Sequence, residues 1–279
     1  MGSLTCGGHQ YFGPWYEHHD PYKHDCITGP AEEFVAETGS ETDYAEADDE
    51  AAFLRLGVGL LCKEGPAAFR RFHTYRLIDP GEWKIDVERE GIDFQHQVEG
   101  VSGVGYIYKK SIRLAHREPV LFLHHSLTNS GRRRMDIRQY NHNFFTIDQQ
   151  PSGPPFAIHL PWPVQSVGPT PSPLQLSGNQ IRFDRMMERD ESVLAELTGY
   201  GSTAADYDIT VVHQGTGAGV RIRGDKPIAR FVFWAKRQTI CPEPYIRIVL
   251  EPGEQTSWTI SYRFFNLRSG VGNAGMASG

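Results

Sequence analysis

Along most of the chain, short apolar or aromatic segments alternate with Gly, Pro, Asn and Asp, the pattern of antiparallel strands joined by turns. Six segments are predicted strands: Gly105–Ile112 (GYIYKKSI), Val120–Thr128 (VLFLHHSLT), Ile209–Val212, Val220–Ile222, Ile228–Trp234 (IARFVFW) and Ser257–Phe265 (SWTISYRFF). In the first, Tyr106, Tyr108, Lys110 and Ile112 share one face and Ile107, Lys109 and Ser111 the other, as a period of two requires. The expected class is all-β, with less than about a fifth of residues helical against the usual third or so.

Helical signals are few. Met186–Leu197 (MMERDESVLAEL) has helix-favouring composition but apolar residues only at its ends, and is expected to form a short helix or a loop with one turn. Eight prolines fall between Pro151 and Pro173, so this segment is expected to be a long ordered loop, anchored by Phe156, Ile158, Leu160 and Trp162. The acidic run at 38–50, with Glu33 and Glu37 before it, is expected to be exposed. The glycines of LGVGLL (Leu56–Leu61) read as close backbone packing, since no phosphate-loop residues follow them. Residues 1–268 are expected to form one β-sandwich domain, followed by a flexible tail at 269–279.

Composition narrows the function classes. With 279 residues the chain can bury a large single core. A formal net charge of −6 and only short basic clusters, chiefly Arg132–Arg134, argue against nucleic acid as a partner. No apolar run reaches the roughly 20 residues of a membrane helix, and the first residues lack the apolar region of a signal peptide, so a soluble cytoplasmic protein is expected. The four cysteines (Cys6, Cys26, Cys62, Cys241) form no CxxC pair and are expected to be reduced.

Three stretches carry candidate chemistry. In YNHNFFTID (Tyr140–Asp148), a strand would place Tyr140, His142, Phe144 and Thr146 on one face and Asn141, Asn143, Phe145 and Ile147 on the other. His142 then reads either as a core histidine or as a proton-transfer group on a cleft wall. In TICPEPYI (Thr239–Ile246), prolines on both sides of Glu243 stiffen the backbone, which suits a carboxylate that must be aimed, or a kinked edge strand. The run HHDPYKHD (His18–Asp25) holds metal-type donors without ligand spacing, so a polar pocket rim is expected there and no metal. No GxSxG elbow or SxxK pair supports nucleophilic hydrolysis.

Taken in order, LTNSGRRRMDIRQYNHNFF (Leu127–Phe145), ICPEPYI (Ile240–Ile246) and LEPGEQTSWTISYRF (Leu250–Phe264) resemble the aldose 1-epimerase, or galactose mutarotase-like, superfamily. Within it the likeness is to the branch of hexose-6-phosphate mutarotase-like and uncharacterised epimerase-like proteins. The resemblance covers about Gly29–Phe265 and implies a large antiparallel β-sandwich, the mutarotase-like supersandwich, with a sugar cleft and no cofactor. It also implies catalytic roles: His142 as the acid that protonates the ring oxygen, and Glu243 as the base for the anomeric hydroxyl. The two are expected to stand several ångströms apart on one cleft, with a sugar ring between them. By the same resemblance, Asp206 in ADYDITVV looks like the aspartate that holds sugar hydroxyls, with Asp208 as a close competitor. His24, Asn141 and Tyr245 complete the candidate substrate-binding set. The chain departs from the family at Thr28, where a second histidine is expected, and no arginine follows before Arg55.

Three functions are compatible with this reading. The first is a mutarotase-type isomerase acting on a small carbohydrate or sugar-like hemiacetal. The second is acid/base elimination or epimerisation on another metabolite in the same cleft, and the third a non-catalytic sugar-binding module. A monomer or homodimer is expected.

Overall fold

A computed structural model describes residues 2–16, 18, 20, 27–38, 41, 43–100 and 102–267. They form strands β1 (Leu4–Cys6), β2 (His9–Phe12), β3 (Ala31–Ala36), β4 (Ala52–Arg55), β5 (Gly59–Cys62), β6 (Leu77–Asp79), β7 (Glu82–Glu88), β8 (Gly91–Glu99), β9 (Gly105–Leu114), β10 (Val120–Asn129) and β11 (Met135–His142). The second half adds β12 (Phe156–His159), β13 (Gln165–Ser166), β14 (Leu174–Ser177), β15 (Gln180–Phe183), β16 (Ser192–Thr198), β17 (Asp208–His213), β18 (Ala218–Gly224), β19 (Arg230–Lys236), β20 (Thr239–Leu250) and β21 (Gln255–Asn266). The expectation of an all-β chain holds: 3% is helical, in two short 3-10 turns at Ile147–Gln149 and Ala204–Asp206. All six predicted strands are present, most of them a few residues longer than the sequence pattern suggested.

Two large antiparallel sheets dominate. One has ten strands in the order β14-β15-β12-β17-β18-β21-β10-β9-β8-β7, the other six in the order β13-β16-β19-β20-β11-β3. Several strands, among them β10, β16 and β21, send alternate side chains inward. On β10, Leu121, Leu123 and Leu127 join the core while His124 points outward. Phe231 and Phe233 of β19 and Ile246 and Ile248 of β20 belong to the same buried cluster, which spans both sheets. Removing this apolar surface from water is the main stabilising term, at roughly 25 cal/mol per Å² buried.

Local expectations fail where composition and tertiary pairing disagree. The stretch read as helix or loop contains strand β16, whose Val193, Ala195 and Leu197 alternate into the core and pair with β19. The proline-rich segment keeps its four apolar anchors buried, yet Phe156–His159 is no loop; it lies between β15 and β17 as an interior strand. The acidic run is not uniformly exposed. Asp43 is buried and accepts the Leu54 amide at 3.0 Å, and Glu41 faces Arg55 at 3.7 Å. Gly57 and Gly59 take positive φ at the β4–β5 turn, and a side chain at Gly59 would overlap the Asp79 carbonyl, so close packing does explain that glycine. Among the described residues no helix is long and apolar enough to cross a membrane. The tail at 269–279 lies outside the described residues.

Candidate active site

The outward face of the six-stranded sheet carries the candidate residues His142 and Glu243. Register aligns Tyr140 of β11 with Glu33 of β3, and Val232 and Arg230 of β19 with Glu243 and Tyr245 of β20. The β11–β20 ladder stops at the Gln139–Ile246 pair, just short of Pro244 and Pro242, neither of which can donate an amide. Beyond that point the Asn143 side chain takes over, donating to the Pro242 carbonyl at 2.6 Å. His142 and Glu243 meet where the two backbones part.

A cavity of about 400 Å³ opens over them, within the range of small-molecule sites. Arg71, Phe72, Phe144, Trp234, Arg230 and Tyr245 are among its walls. Phe144 lies parallel to the His142 ring at 5.1 Å, Tyr140 stacks on Tyr245 at 4.0 Å, and the Arg230 guanidinium covers the Tyr245 ring at 5.4 Å.

At the floor, His142 sits between two carboxylates. Its Nδ1 is 2.8 Å from Glu243 Oε1 and its Nε2 is 2.7 Å from Glu33 Oε2, with the Tyr140 hydroxyl 3.0 Å from the same Nε2. His142 is 7% and Glu243 6% exposed. Burial works against an imidazolium, but the hydrogen bonds and charges of Glu243 and Glu33 outweigh it and raise His142 to about 9. Glu33 is itself held by Arg71 Nε at 2.9 Å and Arg55 Nη2 at 3.3 Å, and it accepts the Tyr140 hydroxyl. Burial, with Glu33 next, pushes the Tyr140 phenol well up, so it stays protonated.

Glu243 Oε1 also accepts the Cys241 thiol at 3.3 Å, and burial first, then Glu243, pushes that thiol well above its usual range. Among the described residues Glu243 is hydrogen-bonded through Oε1 alone. His142, Cys241 and Glu243 bring three metal-type donors within 4.8 Å of one another. Both the His142 Nδ1 and the Cys241 thiol lie within hydrogen-bond reach of Glu243 Oε1.

The sequence-derived candidates divide. His142, Glu243 and Tyr245 line the same cavity. They are not spaced several ångströms apart around a ring, because His142 and Glu243 touch directly. Asn141 points to the opposite, interior face, where it accepts from Gln139 Nε2 at 2.6 Å and donates to the Tyr262 hydroxyl at 3.1 Å. Asp206 does not line the cavity: its carboxylate accepts the Thr203 amide and hydroxyl at 3.2 and 3.1 Å and caps a 3-10 turn. Asp208 is bound by Arg221 and Arg223. His24, like His19 and Asp25, lies outside the described residues.

Glu33, Arg71 and Cys241 were not singled out from sequence. The available signal for Glu33 was weak, a polar residue on a strand with Phe34 and Ala36 on its other face.

Among solved structures the chain is similar to a galactose mutarotase-like protein from Lactobacillus casei, at 12% identity over 94% of this chain and 92% of that one, with a TM-score of 0.56. It is also similar to the Slr1438 protein from Synechocystis (11% identity, 95% and 88% covered, TM-score 0.55) and to a galactose mutarotase-like protein from Clostridium acetobutylicum (12%, 86% and 80%, TM-score 0.51). The chain therefore has the galactose mutarotase-like fold, the one its sequence motifs resemble. No family model and no curated protein matches the sequence.

Proposed function

We propose that the cleft binds a sugar or sugar-like hemiacetal and catalyses proton transfer on it, in the manner of a mutarotase. The observation that carries this reading is the row Glu33–His142–Glu243 on the floor of an aromatic-walled cavity of about 400 Å³. Ring opening needs one proton removed from the anomeric hydroxyl and one delivered to the ring oxygen. Glu243 takes the first. The His142 imidazolium supplies the second once the ring oxygen replaces a carboxylate on one of its N–H groups. Glu33 holds the imidazole and offsets its charge, and Arg71 in turn holds Glu33.

The test is anomer interconversion followed by polarimetry and exchange NMR across a panel of free and phosphorylated aldoses. Glu243→Gln is expected to lower kcat by about 10² to 10⁴, the usual contribution of a positioned base. Unchanged turnover per folded molecule in both Glu243→Gln and His142→Asn would end the assignment.

A second reading, a non-catalytic sugar-binding module, is favoured by the engagement of both His142 nitrogens before any ligand arrives. Saturable sugar binding without interconversion or elimination of any panel member would select it.

A further inference from the structure

At the end of the ten-stranded sheet, β7 (EWKIDVE) is exposed along all seven residues and, among the described residues, pairs only with β8. Its odd-numbered residues are apolar, and Trp83, Ile85 and Val87 are 46%, 57% and 75% exposed. Register places Trp83 beside His96, Ile85 beside Phe94 and Val87 beside Ile92, so these side chains continue the core-facing surface of the sheet. Trp83 is fixed there, stacked at 3.9 Å on the buried His96 and donating to the Pro80 carbonyl at 3.1 Å. The opposite end of the same sheet closes with the four-residue β14. Long, apolar, unpaired edges without proline invite another strand.

We propose that β7 is the interface of a homodimer, in which two copies pair antiparallel about a two-fold axis at Ile85 and join their sheets. The strand's own sequence selects this partner and this register. Centred on Ile85, Lys84 of each copy faces Asp86 of the other, Trp83 faces Val87 and Ile85 faces Ile85, with all apolar side chains on one side. Glu82 and Glu88 oppose each other only at the strand ends, where solvent screens them. A slip of one residue sends the apolar set to the wrong face. Moving the axis by one residue puts Lys84 against Lys84 or Asp86 against Asp86. Such a contact is isologous and closed, so it stops at two copies. No residue lining the cavity lies on β7, so the cleft stays open.

Sedimentation velocity and light scattering across the micromolar range test the proposal on the full chain. A dimer is expected for the parent protein. Lys84→Asp sets acid against acid twice and is expected to raise the dimer dissociation constant by about tenfold or more. Adding Asp86→Lys restores opposite charges in this register and is expected to restore the dimer. Melting temperature measured at a concentration low enough to dissociate the parent, and unchanged there in both variants because β7 is solvent-exposed, separates lost pairing from lost folding. A monomeric parent, larger open assemblies, or a dimer indifferent to Lys84→Asp or unrescued by the double change would overturn the proposal.

Discussion

Nδ1 of His142 lies 2.8 Å from Oε1 of Glu243, and Nε2, on the far side of the same ring, lies 2.7 Å from Oε2 of Glu33. One imidazolium thus joins β11 to both of its neighbours, β20 and β3. Removing one carboxylate from such a row leaves a buried cation half-compensated. Glu33→Gln is therefore expected to move His142 down from about 9 toward its ordinary value of 6.5 and to cost about 1–3 kcal/mol of stability. Histidine NMR titration and urea unfolding measure the two effects, and an unmoved His142 titration contradicts the row.

Stability is expected to fall as pH rises from about 6.5 to 9. His142 is raised from 6.5 to about 9 in the folded state, so its contribution is complete below 6.5 and lost as pH rises through 9. A shift of that size corresponds to something on the order of 3 kcal/mol. Glu41, raised by burial first from 4.5 to about 8 against the opposing Arg55 charge, acts in the same direction between those values. Denaturant titrations across this range are expected to slope downward, with His142→Asn flattening the upper part and Glu41→Gln the lower. A flat profile in the parent protein rules this out.

Gly29→Ala is expected to damage activity more than its size suggests. A side chain there would overlap the Asn143 carbonyl and crowd the His142 carbonyl at 2.8 Å. Relief requires shifting the backbone that carries His142. A displacement of about 1 Å costs on the order of a hundredfold in rate, and overpacking about 1–3 kcal/mol in stability. Turnover and melting temperature on one preparation check this, and wild-type kcat would show that the backbone yields elsewhere.

Asp206→Ala and Asn141→Ala are expected to leave KM unchanged. The first loses a turn cap, about 1 kcal/mol, and the second strips buried hydrogen bonds from Gln139 and Tyr262, about 1–3 kcal/mol. Steady-state kinetics decides; a raised KM for Asp206→Ala would restore it to the substrate-binding set.

The sequence by itself determined the strands whose side chains alternate without a competing signal. β9, β10 and β21 were legible because period-2 burial is a local consequence of a strand with one face on a core. β16 carries the same alternation in SVLAELT, but Ala, Leu and Glu favour helix on their own, and only pairing with β19 settles the matter. His142 and Glu243 were legible as unusual residues in stiff surroundings. Which face each occupies, and that the two touch, was not, because 101 residues separate them and β-sheet register joins them. Glu33 is 109 residues from His142, and Arg71 reaches it from a segment outside both large sheets. Charges this far apart in the chain acquire a partner, a burial and a shifted pKa only when the strands are laid side by side, since each of those properties is a distance in space.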